Sequence, residues 1–187
     1  MKKIIYICVF VLSACVVIGT WSAAVLGELE NNIVRLHIIA NSDTEYDQSL
    51  KLEVRDHITQ MAFKTGKTPD LAQLEYEANR FLKSRNAPYG AKVCFGKYYI
   101  DRRSYKDFIL PGGMYTAARI ELGEAKGKNW WCVLSPPLCF TRSAFGETQE
   151  LSNHLGEETM EAVENDKITV KLKILEVVSG MIHRFAG

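Results

Sequence analysis

The sequence predicts an α+β fold: one antiparallel sheet of three to five strands packed against two to four helices, preceded by a single N-terminal transmembrane or signal helix. Three observations predict it. Ile4 to Leu26 runs without a charged residue. Two stretches after Thr44 repeat apolar residues at helical spacing. The middle of the chain holds short apolar runs punctuated by Gly, Pro and Asn, the pattern of strands joined by turns.

The N-terminal run of 23 residues extends about 34 Å as a helix, and a bilayer core is about 30 Å thick. Lys2 and Lys3 precede it and Glu28 and Glu30 follow it, so the positive-inside rule places the remainder of the chain on the outer side of a membrane. Ser22-Ala23-Ala24 offers small residues for a signal-peptidase cut before Val25. Leu12-Ser13-Ala14-Cys15 has the form of a lipoprotein box, but the chain stays apolar well past Cys15. A retained anchor is favoured, and each alternative exports the rest. The expected organisation is residues 1–27 as signal peptide or anchor and 28–187 as one exported α+β domain, a length able to bury a proper core.

Ile33 to Ala40 alternates as a strand, with Val34, Leu36 and Ile38 towards the core and Arg35, His37 and Ile39 on the other side. Thr44 caps a helix whose stripe is Leu50, Val54, Ile58 and Met61. Thr68-Pro69 opens a second, with Leu71, Leu74, Ala78, Phe81 and Leu82 on one face; Asn86-Ala87-Pro88 ends it. Lys92 to Ile100, Met114 to Leu122 and Asn129 to Leu134 read as strands, the last two as a hairpin across a Gly-, Glu- and Lys-rich loop. Thr141 to Gly156 reads as irregular and Glu157 to Glu164 as helix. Ile168 to Gly187 fits either period, with the helical stripe Leu172, Leu175, Val178, Ile182 and Phe185 favoured.

The 187 residues are 47% hydrophobic and carry a formal charge of +1. With Lys2 and Lys3 set aside, 21 basic residues face 22 acidic ones. Such a balance opposes nucleic-acid binding and a polybasic membrane patch. Asn41, Asp43, Glu45 and Asp47 space oxygens like a calcium loop, but Tyr46 stands where its glycine belongs and Leu52 where its bidentate glutamate belongs. Gly123 to Lys128 (GEAKGK) is one residue short of a phosphate loop and leads into a strand. His37, His57, His154 and His183 form no zinc motif, and no nucleophile elbow occurs. No cofactor, metal or small-molecule substrate is expected, and no enzyme assignment follows. The rival classes are an exported cell-envelope hydrolase, using Cys132 or Cys139 with a histidine, and a small-molecule-binding module.

The most specialised run is Gly127 to Phe140, GKNWWCVLSPPLCF. Pro136-Pro137 must end the strand before it. Trp130 and Trp131 face opposite sides of that strand, one towards the core and one towards a helix or a partner. Cys132 and Cys139 flank the turn and are a candidate disulfide; two reduced, buried thiols are the even alternative. Arg35, His37 and Asn41, with Asp43 just beyond, make a polar strand face that is either satisfied internally, with Asp43 or Asp56 pairing Arg35, or offered to a partner.

Three segments together resemble the stage II sporulation protein R family: RLHIIANSDTEYDQSLKLEVRD (Arg35 to Asp56), LPGGMYTAARIELGEAKGKNWWCVLSPPLCF (Leu110 to Phe140) and VKLKILEVV (Val170 to Val178). Ser135 stands where the family usually has Phe, Glu45 where it usually has Pro, and Gly113-Met114 where Gly-Glu is common. The resemblance implies an exported signalling protein, made in the forespore and sent to the outer face of its membrane or the space before the mother cell. There such proteins trigger a membrane-embedded aspartic protease that processes pro-sigma-E. The expected partners are that protease and, through the N-terminal helix, the membrane. The candidate partner-binding residues are Arg35, His37, Asn41, Asp43, Trp130 and Trp131.

Overall fold

The computed structural model describes residues 2–65, 69–105, 108–136, 138 and 151–163, together with 173–175, 177, 178, 180 and 184. The chain divides into two compact units: Met1–Glu30, Tyr99–Met114 and Leu155–Gly187 form one, Asn31–Tyr98 and Tyr115–His154 the other.

The first unit is built on helix α1 (Lys2–Asn32), one uninterrupted run of 31 residues. Residues 2–21 carry no buried side chain; from Ser22 onwards a stripe of Ser22, Val25, Leu26 and Leu29 is buried. A two-stranded ladder joins β3 (Arg103–Ser104) to β4 (Ile109–Leu110), with Tyr105 stacked on Phe108. A short helix, α4 (Glu157–Val163), buries Thr159, Ala162 and Val163. The described residues of 173–184 are helical, as the apolar stripe there predicts.

The second unit is an α-on-β layer. Helix α2 (Glu45–Thr65) begins after Thr44, whose Oγ1 accepts the Asp47 N–H at 3.3 Å, the cap the sequence predicts. Helix α3 (Leu71–Ser84) is capped by Asp70, which accepts the Gln73 N–H at 2.7 Å. The expected cap, Thr68, lies outside the described residues. Asn86, at φ 54°, turns the chain away beyond Arg85. Leu50, Val54 and Ile58 of α2 and Leu74, Ala78 and Leu82 of α3 are buried, whereas Leu71 is exposed and Phe81 half-buried.

Four strands complete the unit: β1 (Val34–Ile39), β2 (Ala91–Ile100), β5 (Gly113–Leu122) and β6 (Asn129–Ser135), in the order β2-β5-β1-β6. Leu36, Ile38, Val93, Ala118, Ile120, Leu122, Cys132 and Leu134 pack with the α2 and α3 stripes into one core. At about 25 cal/mol per Å² of buried apolar surface, this layer is the main stabilising term of the unit.

Two expectations about the sheet are corrected. It is mixed rather than antiparallel, because β1 pairs in parallel with β5 and antiparallel with β6. For the same reason β5 and β6 are not a hairpin: β1 lies between them. The loop from Gly123 to Lys128 steps across the C-terminal end of β1 and is bonded to it. Gly127 N–H donates to Ala40 O at 2.9 Å and Lys126 N–H to Asn41 O at 3.0 Å. The Asn41 side chain accepts the Glu124 N–H and that of Asp43 the Lys128 N–H, at 2.9 and 2.7 Å. A side chain at Gly127 would overlap the Ser42 carbonyl, which is backbone and cannot rotate aside. Gly127→Ala should therefore destabilise the protein by roughly 2–4 kcal/mol. Denaturant unfolding of Gly127→Ala against the native protein checks it; equal stabilities would contradict the crossover.

Candidate functional site

Register assigns the two faces of the sheet. Arg35 lies opposite Ala117 and Val133; His37 opposite Arg119 and Trp131; Ile39 opposite Glu121 and Asn129. Residues in register share a face, and this one is turned away from α2 and α3. The sequence anticipates the division at β1, where Leu36 and Ile38 take the core side.

Burial grades along this face. Arg35, Ala117 and Val133 are fully buried. Arg35 Nε–H donates to Cys132 O at 3.2 Å, and its guanidinium lies 5.4 Å from the centre of the Tyr115 ring. Neither expected carboxylate holds it: Asp43 accepts from Lys128 and Gln48, and Asp56 pairs with Arg55. Towards the other end the face opens. Trp131, Arg119 and Glu121 are half-buried and Asn129 is exposed.

His37 is the hinge of that gradient, with 7% of its surface exposed. Its ring stacks on Trp131, centres 3.6 Å apart and planes 11° from parallel. Nε2–H donates to Asn129 Oδ1 at 2.9 Å, which leaves Nδ1 as the lone-pair nitrogen; it has no hydrogen-bond partner among the described residues. Burial pushes its pKa below the ordinary histidine value of 6.5, the Asn129 bond opposes this, Arg119 lowers it further and Glu121 raises it. Arg119 and Glu121 are themselves paired at 2.6 Å. The result is a flat aromatic platform beside an ion pair, on a rigid strand pair.

Trp130 points the other way. It packs on the helical core and carries the Arg55 guanidinium 5.1 Å above its ring. The two tryptophans thus divide as the strand period predicts, and Trp131 is the one on the open face.

Asn41 and Asp43 are placed elsewhere, in a knot of hydrogen bonds at the end of β1. Asn41 Nδ2–H and Ser42 Oγ–H donate to Asp47 Oδ2, and Tyr89 O–H donates to Asp47 Oδ1. Burial alone would raise the Asp47 pKa; the bonds from Ser42, Tyr89, Asn41 and Thr44 outweigh it and hold the carboxyl below its usual range. Lys51 Nζ–H donates to Gln48 Oε1 and Lys128 O at 2.7 and 3.0 Å. Asn41 and Asp43 therefore hold the crossing loop.

Cys132 is buried and disulfide-bonded, while Cys8, Cys15 and Cys94 are free. Cys139, the partner the sequence reading names, lies outside the described residues. Among the described residues no three His, Cys, Asp or Glu side chains converge as metal ligands. Two open grooves, of about 310 and 460 Å³, run along α2 and α3 and share His57, which bonds Glu77 at 3.1 Å and stacks on Phe81. Neither includes Trp130 or Trp131.

Reading the sequence residue by residue finds Arg35, His37 and Trp131 but misses Arg119, Glu121 and Asn129. The signal is the alternation Ala117-Arg119-Glu121 within β5, which acquires meaning only once β5 is known to lie beside β1.

The neutral form of His37 is favoured in the folded chain, so the unfolded chain binds its proton at higher pH. The stabilisation is complete above about 6.5 and is lost as pH falls from there towards the lower folded value. His37→Gln keeps a donor for Asn129 and removes the titration. Its unfolding free energy should change less between pH 7 and pH 5.5 than that of the native protein; identical pH slopes would contradict the burial of a neutral imidazole.

A family model described as Stage II sporulation protein R matches residues 30–144. Stage II sporulation protein R of Bacillus subtilis (strain 168) is 33% identical over 171 residues, covering 79% of this chain and 75% of the relative. No solved structure matches.

Proposed function

The chain belongs to the stage II sporulation protein R family and has a role in sporulation; from that premise we propose that it is an exported signal that acts by touching a membrane-embedded aspartic protease. The protease is the one that processes pro-sigma-E for the mother cell, and the signal is sent from the forespore. The chain itself makes and breaks no bonds in this reading.

One observation carries it: the open end of the sheet face, where His37 stacks on Trp131 beside the Arg119–Glu121 pair. Trp and Arg are the residues that most often dominate protein interfaces. Here both are held on strands rather than on a loop, so little conformational freedom is lost on docking. The polar groups around them supply orientation: the Asn129 amide and both members of the ion pair remain partly accessible.

The mechanism is a population shift. The face binds the active arrangement of the protease more tightly than the inactive one. Moving that equilibrium from 1:99 to 99:1 takes about 5.5 kcal/mol of differential binding. An interface of standard size, about 800 Å² per partner, can supply it. Arg35 acts from beneath: buried under the face and bonded to the β6 backbone, it positions Trp131 through the strand that carries it.

The test is co-expression with the protease and the sigma-E precursor in a non-sporulating host, scoring precursor cleavage. Trp131→Ala and Arg119→Ala should each lower cleavage at least tenfold, equivalent to about 1.4 kcal/mol of binding, with export retained and a cooperative unfolding transition still present. A Tyr76→Ala change, on the exposed side of α3, should leave cleavage unchanged. Native cleavage by both face variants would remove this surface from the proposal, and cleavage with the protease omitted would remove the signalling mechanism.

A further inference from the structure

An N-terminal apolar helix passes the same length and composition test whether it is an anchor or a signal sequence destined for removal. The burial pattern along α1 separates the two. Ile4 to Trp21 is apolar, and its most apolar 18-residue window has none of its residues buried. At about 1.5 Å per residue this stretch spans about 27 Å, close to the hydrocarbon thickness of a bilayer. Tyr6 and Trp21 stand near its two ends, where aromatic side chains favour the membrane–water interface. Lys2 and Lys3 lie just beyond one end.

At the next residue the character of the helix changes without a break in the helix itself. Ser22, Val25, Leu26 and Leu29 are buried, Leu29 completely. They recur at the three- and four-residue intervals of a single helical face. Glu28, on the following turn, accepts the Gly156 N–H at 2.5 Å and the Thr159 hydroxyl. Both partners belong to the same compact unit as α1. The carboxylate thus meets the start of α4, where free N–H groups and the helix dipole favour negative charge. A segment built only to be cut away has no use for a buried stripe and a carboxylate bonded to a helix 128 residues on.

We propose that α1 is retained in the mature protein and is a structural part of the exterior unit, so that one continuous helix crosses the membrane and seats the unit containing α4 at the outer leaflet. The occupant of the exposed stretch is the lipid bilayer; the occupant of the buried stripe is the protein itself. A cut before Val25 would remove Ser22 and leave eight residues of α1, Val25 to Asn32. So short a helix is marginal without the turns that precede it. The proposal concerns the fate and seating of α1 and stands whether or not the protease is the partner.

The test uses the full chain expressed in a Gram-positive host and recovered from its membranes. Intact mass and N-terminal sequencing should find a chain that begins ahead of Ile4, resistant to alkaline carbonate extraction. A mature chain beginning at Val25, or at a lipid-modified Cys15, would overturn the proposal. A second measurement does not depend on processing. In detergent, Glu28→Ala should lower the melting temperature of the full chain by about 3–6 °C relative to native. Equal melting temperatures for the native and Glu28→Ala chains would show that the α1 contact with α4 is not structural and would equally overturn it.

Discussion

The placement of β1 between β5 and β6 is the constraint from which the rest of the sheet follows. Two strands joined by a six-residue connection would ordinarily pair with each other. Here a third strand occupies the gap, so the connection must climb over its end, and backbone groups in such a crossing need partners. Ala40 and Asn41 supply carbonyls, and the Asn41 and Asp43 side chains supply acceptors. The Asn-Ser-Asp sequence that follows β1 is thereby spent on holding the loop, and Asp47 and Tyr89 brace it from α2 and from the chain ahead of β2. The clamp anchors the start of β6 beside the end of β1, and the ladder between them sets Trp131 against His37.

The same strand order divides the labour of the two faces. On the α2 and α3 side every inward position of β1 is aliphatic, and burial alone accounts for it. On the other side Arg35 and His37 are buried along with Ile39, an expensive choice in stability because a buried cation and a buried imidazole must both be accommodated. Arg35 is met by the Cys132 carbonyl and the Tyr115 ring. His37 is accommodated by staying neutral and stacking on Trp131. Such a departure from a purely apolar face is the pattern expected where a site, rather than stability, has shaped the sequence.

How much of this is legible in the sequence depends on range. Local signals place the elements well: Thr44 caps α2, and the strands fall where alternation and turns put them. The α3 cap moves from Thr68 to Asp70 because Asp70 reaches the Gln73 N–H. The parallel pairing of β1 with β5 is not legible, because a Gly- and Lys-rich connection looks the same whether it turns a hairpin or bridges a strand. The tight fit of Gly127 against Ser42 accompanies the crossing, and it exists only in three dimensions. The candidate site splits along the same line. Arg35, His37 and Trp131 are visible from strand period alone, whereas Arg119, Glu121 and Asn129 join them through register. Asn41 and Asp43 have the residue types of a contact surface, and the structure employs them internally.

Nuclear Overhauser contacts in the unit that holds the sheet test this arrangement most directly. The account predicts close proton contacts between the His37 imidazole and the Trp131 indole, with cross-strand backbone contacts from β1 to both β5 and β6. Direct backbone contacts between β5 and β6, with the His37 and Trp131 rings apart, would contradict it.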